Sequence, residues 1–212
     1  MSVPTNLDGL EAPLIGIRRH RLGSDGQGVT TLVGFHGCPL HCRYCFNAHC
    51  HDAARVWRRV TPEQLLQLVA ADNLYFLATG GGIAFGGGEP LLYSKFIERF
   101  CTIKVPQWHI TLETSLHVAR EHVERLLPHV DLFFVDIKDT NPDIYHRYTQ
   151  SGMGPVLDNL RWLMLQDGMA DRVLVRLPHI PDYNAQDDVD RSRSMLQDMG
   201  VRQFDEFNYR IP

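Results

Sequence analysis

The sequence predicts an α/β chain, a single domain whose parallel sheet bends into an open, partial (β/α)6 barrel of the TIM type. Three observations lead there. Six short runs rich in β-branched and aromatic residues alternate with amphipathic stretches. Runs such as "DLFFV" are almost continuously apolar, as strands covered on both faces are. Alternation of this kind builds right-handed βα units, and six units are too few to close a barrel of eight.

The elements follow in order. "PLIGIRRH" is expected to pair as a hairpin, across "GSDGQG", with the first barrel strand, "VTTLVGF". "GIAFGG", "WHITLET", "DLFFVDI", "RVLVRLPHI" and "QFDEFNYRI" are the remaining strands. The first helix begins at "TPEQLLQLVA", with Thr61 as N-cap, Pro62 at the first helical position and Glu63 in the first turn. "SKFIERFC", "VAREHVERLL", "PVLDNLRWLML" and "DDVDRSRSMLQDM" are the later helical patterns. The domain is taken to span residues 1–212, with 1–28 as an N-terminal extension carrying the hairpin.

Composition narrows the function. The chain has 212 residues, is 44% hydrophobic and carries a net charge of −4 with both signs interleaved. No basic stripe argues for nucleic acid, and no apolar run approaches the ~20 residues of a membrane span. The start, "MSVPTNLDGLEAP", lacks the pattern of a signal peptide, so a cytoplasmic chain is expected. Four of the five cysteines crowd into "HGCPLHCRYCFNAHC", which suits reduced thiols rather than a disulfide scaffold.

Cys38, Cys42 and Cys45 are spaced CxxxCxxC. Thiolates are soft ligands for zinc, copper(I) or iron–sulfur clusters. Zinc would take a fourth ligand from His36, His41, His49, Cys50 or His51. Three cysteines on one tight loop can instead hold three irons of a [4Fe–4S] cluster and leave the fourth open. Spacing alone leaves both readings standing. The predicted C-terminal strand ends, where such folds gather function, carry further polar groups. "GGGEP" follows the second strand, Glu113-Thr114-Ser115 end the third, Asp136 and Lys138 end the fourth, and Arg176 lies in the fifth.

CxxxCxxC with an aromatic residue, Tyr44, before its last cysteine, together with "FGGGEP", resembles the radical S-adenosylmethionine (SAM) superfamily. The resemblance implies that Cys38, Cys42 and Cys45 bind a [4Fe–4S] cluster and that SAM is cleaved there to a 5′-deoxyadenosyl radical that abstracts hydrogen. Within that superfamily the chain is most similar to the glycyl-radical-enzyme activases, through "TLVGFHGCPLHCRYCFN", "GIAFGGGEPLL", "LETS", "FFVDIKD", "YHRYTQSGMGPVLDNLRWL" and "VRLPHIPDYN". The absence of a ferredoxin-like cysteine insert marks the short, single-cluster type.

The same resemblance implies the remaining roles. Tyr44 and Phe46 lie against the adenine, and Gly87 and Gly88 admit the methionine part. Glu89 accepts from its ammonium, and Pro90 stiffens the exit. Ser115 joins the cofactor site, and Lys138 and Arg176 reach the carboxylate or ribose. Glu113, Thr114 and Asp136 match a monovalent-cation site, with Glu113 in place of the activases' aspartate. A large glycyl-radical enzyme or peptide is the implied substrate, and a flavodoxin- or ferredoxin-type protein the electron donor. The sequence ends at "EFNYRIP", short of the activase tail, which is expected to leave the barrel mouth open. Two alternatives stand beside this reading. One is a radical SAM enzyme for a peptide or small molecule, similar to 7-carboxy-7-deazaguanine synthase, which also carries "ETS". The other is a non-catalytic zinc-binding module.

Overall fold

The computed structural model describes residues 10–211; the first nine residues of the expected N-terminal extension, and Pro212, lie outside them. Strand β1 (Ala12–Leu22) folds back on β2 (Val29–Phe35) as the expected antiparallel hairpin, with Ile17 opposite Val33. A short strand, β3 (Arg58–Val60), pairs with the outer edge of β1 at Ala12–Leu14. From β2 the sheet continues in parallel through β4 (Gly82–Gly87), β5 (His109–Thr114), β6 (Leu132–Asp136), β7 (Val173–His179) and β8 (Gln203–Asn208). Among the described residues the order is β3-β1-β2-β4-β5-β6-β7-β8, so β3 and β8 each have one neighbour and the sheet stays open. The six parallel strands are the six read from the sequence; β1 and β3 extend them at one edge.

Seven helices accompany the strands among the described residues: α1 (Pro62–Val69), α2 (Asn73–Thr79), α3 (Ser94–Ile103), α4 (Arg120–Leu126), α5 (Pro142–Thr149), α6 (Gly154–Met164) and α7 (Gln186–Asp198). Thr61 caps α1 as the sequence predicts, in a reciprocal capping box with Gln64. Strand alternation then sorts the side chains. Phe85, Leu112, Val135 and Val175 join the core, where Phe85 meets Phe100 of α3 edge-on with ring centroids 5.5 Å apart. The alternate positions Gly86, Glu113, Asp136 and Arg176 share the other face, where a Cβ built on Gly86 would lie 3.0 Å from the Glu113 carboxylate. A polar layer inside the sheet is thereby built from one residue on each of three successive strands, β5 to β7.

Helices α2 and α5 and strand β3 were not legible as separate elements. β3 is three residues long and is held by pairing with a segment more than forty residues earlier, so no local periodicity announces it. α5 depends on a cap, the Asn141 side chain accepting from the amides of Asp143 and Ile144, and ends where Gln150 turns left-handed at φ 60°.

Candidate functional site

The site begins where β2 ends. The cysteine loop leaves Phe35, and its first turn is tied down at once: His36 N donates to Pro13 O at 2.9 Å and Gly37 N to Cys50 O at 2.8 Å. Further along, His41 N donates to Thr149 O at 3.0 Å and Arg43 N to Tyr148 O at 3.1 Å. These carbonyls belong to the last turn of α5, which has no intrahelical partner for them, so the loop serves as that helix's cap.

The loop after β4 packs directly on the first. Gly88 N donates to Phe35 O at 2.9 Å and Glu89 N to Gly37 O at 2.8 Å. A Cβ on Gly88 would stand 2.1 Å from Gly37 O, and one on Gly87, at φ +92°, would stand 2.7 Å from Gly34 Cα. The sequence reading expected these glycines to make room for the methionine moiety. Their missing side chains also let the two loops touch.

Glu89 is 1% exposed, and its carboxylate receives four hydrogen bonds. Oε1 accepts from Leu91 N at 3.2 Å and Thr114 Oγ1 at 2.6 Å; Oε2 accepts from Ser115 N at 2.9 Å and Ser115 Oγ at 2.6 Å. Both hydroxyls are themselves acceptors, Thr114 Oγ1 from Leu116 N and Ser115 Oγ from His117 N, so their protons are committed to Glu89. Burial pushes the Glu89 carboxyl up, while Ser115, Thr114 and Leu91 pull it back. The four donors favour the carboxylate and work against burial. Glu89 joins the β4 loop to the end of β5 as a strut, and it lines the cavity that the cysteines share. Ser115 is taken up by the same strut. Pro90 is buried and opens the 3-10 turn Pro90–Tyr93.

The inner charged layer lies beside it. The Arg176 guanidinium grips Asp136 with both prongs, Nε to Oδ1 at 2.8 Å and Nη2 to Oδ2 at 3.1 Å, and lies 3.5 Å from Glu113 Oε2. Lys138 Nζ stands 3.6 Å from Asp136 Oδ2. Burial works against the Asp136 charge, but Arg176 and Lys138 outweigh it and hold the carboxyl below its ordinary value. Burial dominates at Glu113, whose carboxyl is raised despite Arg176. Of the residues read as a cation site, Thr114 Oγ1 donates to Glu89 and Asp136 faces the two cations.

One cavity of about 260 Å³ collects the rest. Cys38, Cys42 and Cys45 line it on one side; Gly87, Gly88 and Glu89 form its floor; Glu113, Asp136, Lys138 and Arg176 face it from the strand ends. Phe46 stands on its rim, 58% exposed. Tyr44 does not line it. Its hydroxyl donates to Asp182 at 3.3 Å, and its ring sits edge-on to Tyr183. An adenine contact from Tyr44 would need the side chain to leave these partners. Four lining residues carried no role in the sequence reading: Leu40, Asn47, whose amide donates to Gly87 O at 2.9 Å, Phe207, and Tyr209, whose hydroxyl donates to Tyr44 O at 2.7 Å. Cys50 is buried, with its thiol pushed up to about 11 by burial, and is structural rather than reactive.

The donor set suits a cluster better than zinc. Three thiols from one loop share the cavity, a soft, all-sulfur donor set of the kind that holds iron–sulfur clusters.

An open parallel barrel with three thiols at the C-terminal rim defines a class, and the comparisons agree with it. The chain belongs to the radical SAM superfamily, whose profile matches residues 32–190. Among its relatives, the (2S)-3-sulfopropanediol dehydratase activating enzyme of Klebsiella oxytoca is 32% identical over 160 residues, and the pyruvate formate-lyase-activating enzyme of Staphylococcus aureus (strain USA300) is 33% identical over 167. The matches cover 74% and 76% of this chain but only 49% and 65% of those relatives. Solved structures share the fold at low identity. Streptococcus suis SuiB superposes with a TM-score of 0.62 at 12% identity, over 82% of this chain and 38% of that one. A radical SAM methyltransferase from Sphaerobacter thermophilus gives 0.52 at 18%, over 94% and 78%. No helix among the described residues is long and apolar enough to cross a membrane.

Proposed function

We propose that this chain is a glycyl-radical-enzyme activase: it binds SAM at a [4Fe–4S] cluster and removes a hydrogen atom from a glycine of a large partner enzyme. The observation that carries the reading is the convergence of Cys38, Cys42 and Cys45 with the Gly87–Glu89 loop on one cavity at the C-terminal rim. The names of the two curated relatives direct it towards glycyl-radical partners. Cys38, Cys42 and Cys45 would hold three irons of the cluster. When bound, cluster and SAM together supply one-electron cleavage of a sulfonium and a carbon radical able to take hydrogen without a general base.

The chain's own residues bind and orient. Lys138 and Arg176 present positive charge to the cavity, offset by Asp136 and Glu113, which suits a ligand with a carboxylate. Phe46, Phe207 and Tyr209 offer aromatic surface for a purine, with Phe46 and Tyr209 ring centroids 5.6 Å apart. A second cavity of about 360 Å³ shares Asn47 and Gly87 with the first and is lined by Ile15, Ile17 and Leu32. It offers the partner's glycine segment an approach along β1 and β2. A flavodoxin- or ferredoxin-type protein would deliver the electron, in a reducing cytoplasm. The test is electron paramagnetic resonance on the reconstituted, reduced protein mixed with SAM and a candidate glycyl-radical enzyme. A glycyl doublet is expected on the partner. Turnover of a small molecule, with no glycyl signal from any such partner, would move the assignment to the rival class.

A further inference from the structure

Two buried phenols near the cysteine loop lack a partner. Tyr145 and Tyr148 sit three residues apart on α5, so both project from one side of the helix. Their side chains are 1% and 0% exposed. Neither hydroxyl has a hydrogen-bond partner among the described residues. A buried Tyr hydroxyl ordinarily finds one, and leaving it unpaired costs about 1–3 kcal/mol. Two orphans on the same face of one short helix point to an acceptor that both were shaped to meet.

Their surroundings say what that acceptor is. The cysteine loop rests on the end of this helix through Arg43 N–Tyr148 O and His41 N–Thr149 O. Burial pushes the Tyr145 phenol up most, followed by the Cys42 and Cys38 thiols and Glu89. For Tyr148 burial again leads, then Tyr209, then Cys42 and Cys45. The Tyr148 ring also meets Tyr44, the residue before Cys45, edge-on with centroids 6.1 Å apart, so this helix packs directly on the cysteine loop. Glu89 is no alternative acceptor for Tyr145, because four donors already fill its oxygens. Tyr148 has a second option in the Tyr209 oxygen, so Tyr145 carries the sharper test.

We propose that Tyr145 and Tyr148 are cofactor-tuning residues, whose hydroxyls donate hydrogen bonds to the sulfur atoms of the cluster held by Cys38, Cys42 and Cys45. The proposal rests on the cluster assignment above. Reduction adds one electron from the donor protein, and so negative charge, to the iron–sulfur group. Hydrogen bonds to its sulfurs favour that reduced state and raise the potential. The phenols would also find there the acceptor they lack in the polypeptide alone.

The test compares Tyr145→Phe and Tyr148→Phe with the parent protein, reconstituted anaerobically and titrated against potential with the reduced cluster followed by electron paramagnetic resonance. Each substitution is expected to make the cluster harder to reduce, with Tyr145→Phe lowering the equilibrium constant about tenfold, or about 59 mV for one electron. After exchange into D2O, pulsed electron–nuclear resonance should show an exchangeable deuteron coupling that Tyr145→Phe removes. In the cluster-free chain, Tyr145→Phe should leave unfolding stability unchanged or higher, since it deletes an unpaired polar atom. An unmoved midpoint at full iron content would overturn the proposal, as would a destabilised cluster-free variant, which would show that the hydroxyl already has a partner. If Tyr145→Phe takes up less iron, the cluster-free comparison and the Tyr148→Phe midpoint still decide. A parent protein that takes up no iron would sink the cluster assignment instead.

Discussion

Replacing Glu89 with glutamine separates a structural strut from a cofactor ligand. The carboxylate accepts four hydrogen bonds, two at each oxygen, and each oxygen serves one backbone N–H and one hydroxyl. Glutamine keeps one oxygen and puts an NH2 where the other was, so one backbone N–H, of Leu91 or Ser115, faces a donor. An orphaned buried N–H costs about 1–3 kcal/mol, and losing the charge weakens the two surviving bonds by about 1 kcal/mol each. The total is about 3–5 kcal/mol, a large share of the ~5–15 kcal/mol by which a domain is stable. Urea unfolding of the cluster-free chain at neutral pH measures it without any cofactor. If Glu89→Gln unfolds within about 0.5 kcal/mol of the parent and loses only SAM affinity, Glu89 is a ligand and the strut argument is wrong.

Other outcomes follow from the same geometry. Gly88→Ala should push the two rim loops apart, because its Cβ would stand 2.1 Å from Gly37 O; a loss of at least ~1–3 kcal/mol is expected for such overpacking, measured by urea unfolding. Tyr209→Phe removes the 2.7 Å bond to Tyr44 O and should cost about 0.5–1.5 kcal/mol, with faster amide exchange confined to the cysteine loop. In the parent, Arg176 and Lys138 hold Asp136 low against burial, so its stabilisation is present above about pH 4 and is lost as pH falls through the lowered value. In Arg176→Met both carboxyls lose that cation: Glu113, already raised by burial, rises further, and Asp136 keeps only Lys138 against burial. The folded state would then hold the Glu113 proton more tightly than the parent does, and stability should fall more steeply as pH rises from about 5 to about 8. Thermal melts of variant and parent across that range would read the steeper slope.

The fold was legible where local pattern and burial agree. "DLFFV" and "VTTLVGF" read as strands because both faces are covered, and Thr61-Pro62 announced α1 through its cap. The cysteines could be found because spacing alone defines the motif. The structural roles of Gly88 and Glu89 were not legible for one shared reason: both meet distant backbone. Gly88 meets Gly37, and Glu89 meets Ser115 twenty-six residues on, partnerships that no local pattern encodes. Tyr44 was placed against the cofactor by its position in the motif, whereas Asp182 and Tyr209, more than 130 residues away, decide where it points. Asn47 sat in the quoted motif without a role, because its partner, the Gly87 carbonyl, appears only when the loops meet.

The most direct measurement is iron content and SAM cleavage in the same anaerobically reconstituted sample. The account predicts about four irons per chain, with methionine and 5′-deoxyadenosine formed only when both SAM and a reductant are present. Cys42→Ala should lose both the iron–sulfur absorption and the cleavage. Stoichiometric zinc, no iron–sulfur absorption after reconstitution and no 5′-deoxyadenosine would contradict it.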